Sequence, residues 1–148
     1  MSHTFTAAFF HVVFRTHDGG APISADFGDR MFEYIGGVLR AEKGFLLAAG
    51  GAPDHVHLLI SLPPPISLAD IVRVVKAKTS KWIHETFPMH AAFAWQEGYG
   101  AFSVSTSGLP RVKEYIAGQE AHHRRVTFRE ELAAILKKHG IAFDEKYL

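Results

Sequence analysis

Residues 45–65 read FLLAAGGAPDHVHLLISLPPP. Two apolar runs of strand length flank a gap rich in glycine and proline, and three prolines close the second run. That pattern predicts an antiparallel hairpin, with strands at 45–49 and 55–62 and a turn over GGAP at 50–53. The prolines stop the second strand firmly, because proline cannot donate to the ladder. A lone hairpin is marginal in water, so the rest of the chain must supply further strands or helices to cover it.

FTAAFFHVVFR at 5–15 reads as a first strand, broken by HDGGAP. Ser24 is placed to cap a helix of about 20 residues, in which Phe27, Met31, Tyr34, Ile35, Val38 and Leu39 recur at helical spacing. Gly44 is expected to end it. Ser67 and Asp70 match a cap pattern, and a second helix should run to about Thr86 with Leu68, Ile71, Val72, Val75 and Ile83 inward. A fourth strand is expected at 101–106. Gly108 and Pro110 introduce a helix over about 109–125. Thr127 and Glu130 form a capping box for a last helix at about 128–139, closed by Gly140.

The order is therefore β-α-β-β-α-β followed by two helices. This is an α+β chain of ferredoxin-like (RRM-like) arrangement: an antiparallel sheet of four strands with two helices on one face and additional C-terminal helices. The second sheet face stays open unless something covers it. With 148 residues, no internal repeat and no long linker, one domain over 1–148 is expected. Such a fold hosts many activities, so function must be argued from side chains.

The chain has no cysteine, which excludes disulfides and thiolate metal sites. No apolar run reaches the roughly 20 residues needed to span a bilayer. The start lacks a basic n-region and a small-residue cleavage site. No membrane association and a cytoplasmic location are therefore expected. The net charge of +1 hides an asymmetry: residues 1–70 hold four Lys/Arg against seven Asp/Glu, and residues 71–148 hold twelve against eight. An anionic partner and a solvated surface explain that excess about equally well.

His55 and His57 point the same way on a strand, with Leu59, while Val56, Leu58 and Ile60 face the helices. Their α-carbons lie about 6.7 Å apart, from about 3.3 Å of rise per residue. Two imidazoles can converge on one metal ion from there, and Asp54 could orient one of them. A chain with ten histidines also produces such a pair by chance. Tyr115 and Gln119 are four residues apart on the third helix, hence on one face. Laid across the open sheet face, that helix would offer a phenol and an amide oxygen to the same site. An ordinary apolar stripe of Val112, Tyr115 and Ile116 fits the same periodicity.

Taken in order, the motifs are Asp54-His55-Val56-His57, Lys76, Trp95-Gln96 with Gly98-Tyr99, Ser103-Val104-Ser105, and Tyr115-Ile116 with Gln119 and His122-His123. This set, covering about residues 5–125, resembles the single-tyrosine HUH transposases of small bacterial insertion sequences (transposase A type). The resemblance implies cleavage and rejoining of single-stranded DNA at element ends, recognition of subterminal hairpins, and a covalent 5′-phosphotyrosine intermediate. It implies Tyr115 as nucleophile and His55, His57 and Gln119 as ligands of a divalent metal, Mg²⁺ or Mn²⁺. Imidazole chemistry alone leans towards zinc or manganese. It also implies a homodimer whose active sites are shared between subunits, with Tyr115 and Gln119 of one chain opposite His55 and His57 of the other.

Arg73, Lys76 and Lys81 on the second helix, and Arg111, Lys113, Arg124 and Arg125 around the third, are the candidate DNA contacts, holding phosphates rather than reading bases. Trp95, Tyr99 and Phe102 could stack on unpaired bases. Two other classes fit the residues. One is a metal-dependent hydrolase using water, for which Tyr115 is dispensable. The other is a non-catalytic or domesticated single-stranded nucleic-acid-binding domain, for which metal is irrelevant.

Overall fold

The structure, a computed structural model, describes residues 3–18 and 20–148. Met1 and Ser2, part of the start read for a targeting segment, and Gly19, in the predicted break after the first strand, lie outside them. Four strands form one antiparallel sheet: β1 (Phe9–Arg15), β2 (Phe45–Ala52), β3 (His55–Ser61) and β4 (Gly100–Val104), in the order β2-β3-β1-β4. Helices α1 (Gly28–Ala41) and α2 (Leu68–Thr86) alternate with the strands, and α3 (Leu109–Ala117), α4 (Gln119–His122) and α5 (Phe128–Lys138) follow. The expected β-α-β-β-α-β order and C-terminal helices are all present.

Strand alternation divides the side chains between two faces. Val12, Phe14, Val56, Leu58 and Ile60 pack against Met31, Ile35, Ile71, Val72 and Val75 of α1 and α2, forming the main core. His11, Val13, His55, His57 and Phe102 take the opposite face. There Val13 and Phe102 meet Phe128, Leu132, Ile135 and Leu136, so α5 covers the face that two helices alone would leave open. Thr127 begins α5 with the predicted capping box, and Gly140 beyond its end has φ +67°, a backbone region that favours glycine. At α2, the Ser67 side chain accepts from the Asp70 N–H as the sequence suggested.

β1 starts at Phe9 rather than at residue 5, and β4 ends at Val104 rather than 106, where a short 3-10 turn over Thr106–Gly108 follows. Three further boundaries differ from the sequence reading. β2 continues to Ala52, so Gly50 and Gly51 are strand residues and the hairpin turns at Pro53 and Asp54. The reason lies in packing. Gly50 pairs with His57, and a Cβ there would sit 2.7 Å from the Ile116 carbonyl oxygen and 3.2 Å from its Cγ2. The missing side chain lets α3 lie close on the sheet beside the histidines. The expected helix over 109–125 is broken at Gly118, whose N–H still bonds the carbonyls of Glu114 and Tyr115. Glycine's low helix propensity makes it the weak point. Finally, α1 starts at Gly28 rather than just after Ser24, because residues 25–27 form a turn that buries Phe27 completely. At its other end Lys43, not Gly44, takes the positive φ of 68°.

Gly50→Ala should destabilise the fold by about 1–3 kcal/mol through overpacking against Ile116. Urea unfolding measures this. A loss below about 0.5 kcal/mol would mean that α3 does not need the close approach.

Candidate active site

β3 delivers His55 and His57, both fully buried, to the face covered by the C-terminal helices. α3 brings Tyr115, α4 brings Gln119 and His123 follows it. The element that joins them is α5. Glu131, one turn into α5 and 3% exposed, points its carboxylate at the sheet. Its Oε1 accepts from His57 Nε2 and His123 Nε2, each at 2.9 Å. Its Oε2 accepts from Gln119 Nε2 at 2.9 Å and from the Tyr115 hydroxyl. His122 Nε2 lies 3.3 Å from the same oxygen.

A second shell of contacts orients the imidazoles. His55 Nδ1 bonds Asp54 Oδ1 at 2.8 Å, which fixes the ring with Nε2 directed inward. There it meets Gln119 Oε1 at 3.2 Å and Glu131 Oε1 at 3.5 Å, both acceptors. His57 Nδ1 shares a proton with His11 Nε2 at 2.7 Å, and the two rings stack. Either tautomer of His11 satisfies that bond, so His57 can carry its proton on Nε2, towards Glu131, or on Nδ1, leaving Nε2 free to ligate.

The electrostatics follow from burial and from this network. Desolvation lowers His11 to about 3, with His57 adding to the shift, so His11 is neutral near pH 7. Burial also lowers His57, partly offset by Glu131. The hydrogen bond from His55 holds Asp54 below its ordinary value. Burial pushes Glu131 up, but the hydrogen bonds and charge from His57, with those from Tyr115 and Gln119, outweigh it and hold the carboxyl well below the usual range. Burial and the Glu131 anion together raise the Tyr115 phenol, which stays protonated as a donor.

The donor set suits a cation. The ligand atoms of His55, His57, His123 and Glu131 lie within 4.8 Å of one another. His55 Nε2, Gln119 Oε1 and Glu131 Oε1 converge at 3.2–3.5 Å, and imidazole nitrogens, an amide oxygen and a carboxylate are the donor types a divalent cation takes.

Every sequence-derived site residue of this group is therefore brought together within one chain: His55, His57, Tyr115 and Gln119. The basic candidates divide. Arg111 lines a cavity beside Tyr115. Arg124 is exposed and 3.7 Å from Glu120, and Lys113 and Arg125 are exposed as well. Arg73, Lys76 and Lys81 belong to α2, across the sheet from the histidines. Arg73 pairs with Asp70 and Lys81 with Glu85, while Lys76 donates to the carbonyls of Gln96 (2.6 Å) and Gly98 (2.8 Å), tying down the loop before β4. Of the aromatic candidates, Phe102 is buried against His139, and the Trp95 ring packs on Phe14 and Phe93 in the main core. Tyr99 is exposed.

Sequence reading missed Glu131 and His11 and gave no role to His122 and His123. Glu131 had one signal. It falls on the Phe128-Leu132-Ile135 stripe of α5, where a charged residue at a buried position asks for partners.

A four-stranded antiparallel sheet with a buried histidine pair on one face, closed by helices that add a tyrosine and a glutamine, defines an α+β protein with a candidate metal-binding cluster. Residues 4–119 match the IS200-like transposase family, and the chain belongs to that family. It is 28% identical over 72 residues to the ISDra2 transposase TnpA of Deinococcus radiodurans, an alignment covering 45% of this chain. The chain spans about half the length of that curated relative, 51%. Among solved structures it is similar to a candidate transposase from Deinococcus radiodurans R1, with TM-score 0.63, 19% identity, and 80% and 95% of the two chains covered. It is also similar to a REP-associated tyrosine transposase bound to a REP hairpin, with TM-score 0.62, 16% identity, and 85% and 76% covered. At those identities the likeness is one of fold. Among the described residues no helix is long and apolar enough to cross a membrane.

The lowered His11 gives a pH test. The unfolded chain binds a proton below about 6.5 that the folded chain refuses until about 3, so stability is full above 6.5 and falls as pH drops through that window. His11→Phe should remove up to one proton from the slope, about 1.4 kcal/mol per pH unit, between pH 6 and 4. Urea midpoints across that range measure it, and an unchanged slope would refute the buried neutral state.

Proposed function

We propose that the protein is a DNA transposase that cleaves and rejoins single-stranded DNA through a covalent 5′-phosphotyrosine on Tyr115. The observation that carries this reading is the shared carboxylate. Glu131 holds the Tyr115 hydroxyl and the His57 and Gln119 side chains at once, so a phosphate near the histidines is also near the phenol. Membership of the IS200-like family supports the same reaction class.

Tyrosine is a weak nucleophile while protonated, and here Glu131 holds it so. The same carboxylate is the acceptor already in contact with the phenolic proton. As the Tyr115 Oη–phosphorus bond forms, the phosphorus–O3′ bond breaks, the phenolic proton passes to Glu131 and the departing O3′ takes a proton from water. Because the phosphate stays esterified, a later 3′-hydroxyl can displace the phenolate and restore a continuous strand with no external energy source. His55, His57 and Gln119 would hold a divalent cation, which when bound supplies charge neutralisation at a nonbridging phosphate oxygen. His123 and Glu131 stand within reach of the same point, and this nitrogen-rich set favours Mn²⁺ over Mg²⁺.

The substrate is proposed to carry hairpins near the element ends, by analogy with the REP hairpin bound to the similar transposase. Arg111, Lys113, Arg124 and Arg125 would hold phosphates near the site. Arg73, Lys76 and Lys81, across the sheet, would reach DNA only away from the scissile phosphate. We further propose a homodimer. One chain assembles its own His55, His57, Gln119 and Tyr115, and an exchange that carried Tyr115 and Gln119 together to a partner would turn ahead of α3, at Gly108.

Incubating labelled single strands from the DNA flanking the coding sequence with protein and Mn²⁺ should give a denaturation-resistant protein–DNA adduct. Tyr115→Phe should lose adduct and cleavage by at least about a thousandfold while hairpin binding persists, and chelation should abolish both products. Cleavage by Tyr115→Phe at the wild-type rate would mean that water is the nucleophile. Binding with no metal-dependent cleavage by the wild type would mean a binding domain.

A further inference from the structure

We infer that the cleft between β4, α3 and α5 seats the nucleotide on the 3′ side of the scissile phosphate, the one that stays joined to Tyr115. This rests on the reading of Tyr115 as nucleophile. The cleft encloses about 590 Å³, with Tyr115 and Glu131 at its inner wall and Arg111, Lys138 and His139 among its lining. That volume falls within the roughly 300–1,000 Å³ of small-ligand sites and suits one unpaired nucleotide. Arg111 and Lys138 are exposed and offer two cations at a cavity that opens to solvent, beside Glu130, also exposed, and Glu131, whose carboxylate is already taken by its hydrogen-bond donors. His139, also exposed, stacks on buried Phe102 with ring centroids 4.7 Å apart and planes at 25°. One imidazole face is used by Phe102, and the other is available to a base.

A second cavity, of about 410 Å³, is lined by His123 and Arg124 and does not include Tyr115. Asp29 and Glu120 line it, and Arg124 lies 3.7 Å from Glu120, so its charge does not favour phosphates. The tyrosine-side cleft thus sets Arg111 and Lys138 against Glu130 and Glu131, whereas the His123-side cavity sets Arg124 alone against Asp29 and Glu120, so only the first has cations to match its acids.

Reaction geometry assigns the strand between them. Attacking and leaving oxygens lie roughly in line across phosphorus. The nucleotide that departs with the 3′-hydroxyl must leave on the side away from Tyr115, past His55 and His123. The nucleotide retained through its O5′ is not in that line and can occupy the cleft beside the phenol. Its own 3′ phosphate then runs out towards Arg111 and Lys138.

The test begins by mapping the cleavage position from the wild-type adduct. Binding is then measured in a Tyr115→Phe background with two sets of synthetic strands. One set ends at the scissile position, and the other extends several nucleotides to its 3′ side. Arg111→Ala with Lys138→Ala should weaken the extended strands about tenfold. It should also reduce the slope of log K against log salt by about 1.4, for two single-strand phosphate contacts. Strands ending at the scissile position should bind as before. His139→Ala alone should weaken strands with a base at the first 3′ position and leave strands abasic there unchanged. All three side chains are exposed, so thermal melting within a few degrees of the parent verifies the fold. Equal weakening of both sets, or an effect confined to the 5′ side, overturns the assignment while leaving the nucleophile intact. Absence of any wild-type adduct removes the nucleophile and this assignment with it.

Discussion

The carboxylate of Glu131 sits 3% exposed against a sheet, where an anion without partners would be expelled or protonated. It persists because donors from β3, α3, α4 and the segment after α4 converge on it: His57, Tyr115, Gln119 and His123. One charge therefore ties the C-terminal helices to the strand that carries the histidines. Removing a single partner of such a buried charge typically costs about 3–5 kcal/mol, because the remainder is left uncompensated. Satisfying that anion, together with the packing of Ile116 over Gly50, sets the tyrosine beside the histidines.

The sheet separates two tasks by strand alternation. Its α1–α2 face is an apolar core built from Val12, Phe14, Val56, Leu58 and Ile60 with their helical partners. Its other face carries a small apolar patch around Val13, Phe102 and Phe128 beside the polar network. Much of the fold's stability can therefore reside on one face, while the other holds groups that would be costly in a core. Gly50 belongs to this division. By lacking a side chain it admits Ile116 and brings α3 down to the level of the histidines. His11 belongs to it as well, because a neutral imidazole with two interchangeable tautomers supports His57 in either protonation pattern.

Much of this was readable from local pattern. Alternation, the proline stop after β3, the Ser67 cap and the Thr127–Glu130 box located the elements, and the fold class followed from their order. The His55–His57 pair and the Tyr115–Gln119 spacing located part of the site, because period-2 and period-4 rules act within one element. Glu131 was not readable as a partner of His57, 74 positions earlier, because no local rule spans that distance. It resembled the favourable acids of a helix's first turn, like Glu130 beside it. Gly50 and Gly51 looked like a turn for a similar reason: composition signals flexibility, while the real constraint was a helix arriving from residue 116. The α3 break at Gly118 was visible as a glycine but not as a boundary, since helical glycines are often tolerated.

Glu131 joins the tyrosine to a cluster of ligand atoms whose types and spacing fit a cation. Isothermal titration of Mn²⁺ into the protein without DNA, comparing wild type with Glu131→Gln, tests it most directly, since the substitution keeps shape and removes the charge. Glu131→Gln should bind Mn²⁺ at least about tenfold more weakly, in line with the loss when groups supporting metal ligands are altered. Equal affinity in the two proteins would contradict it.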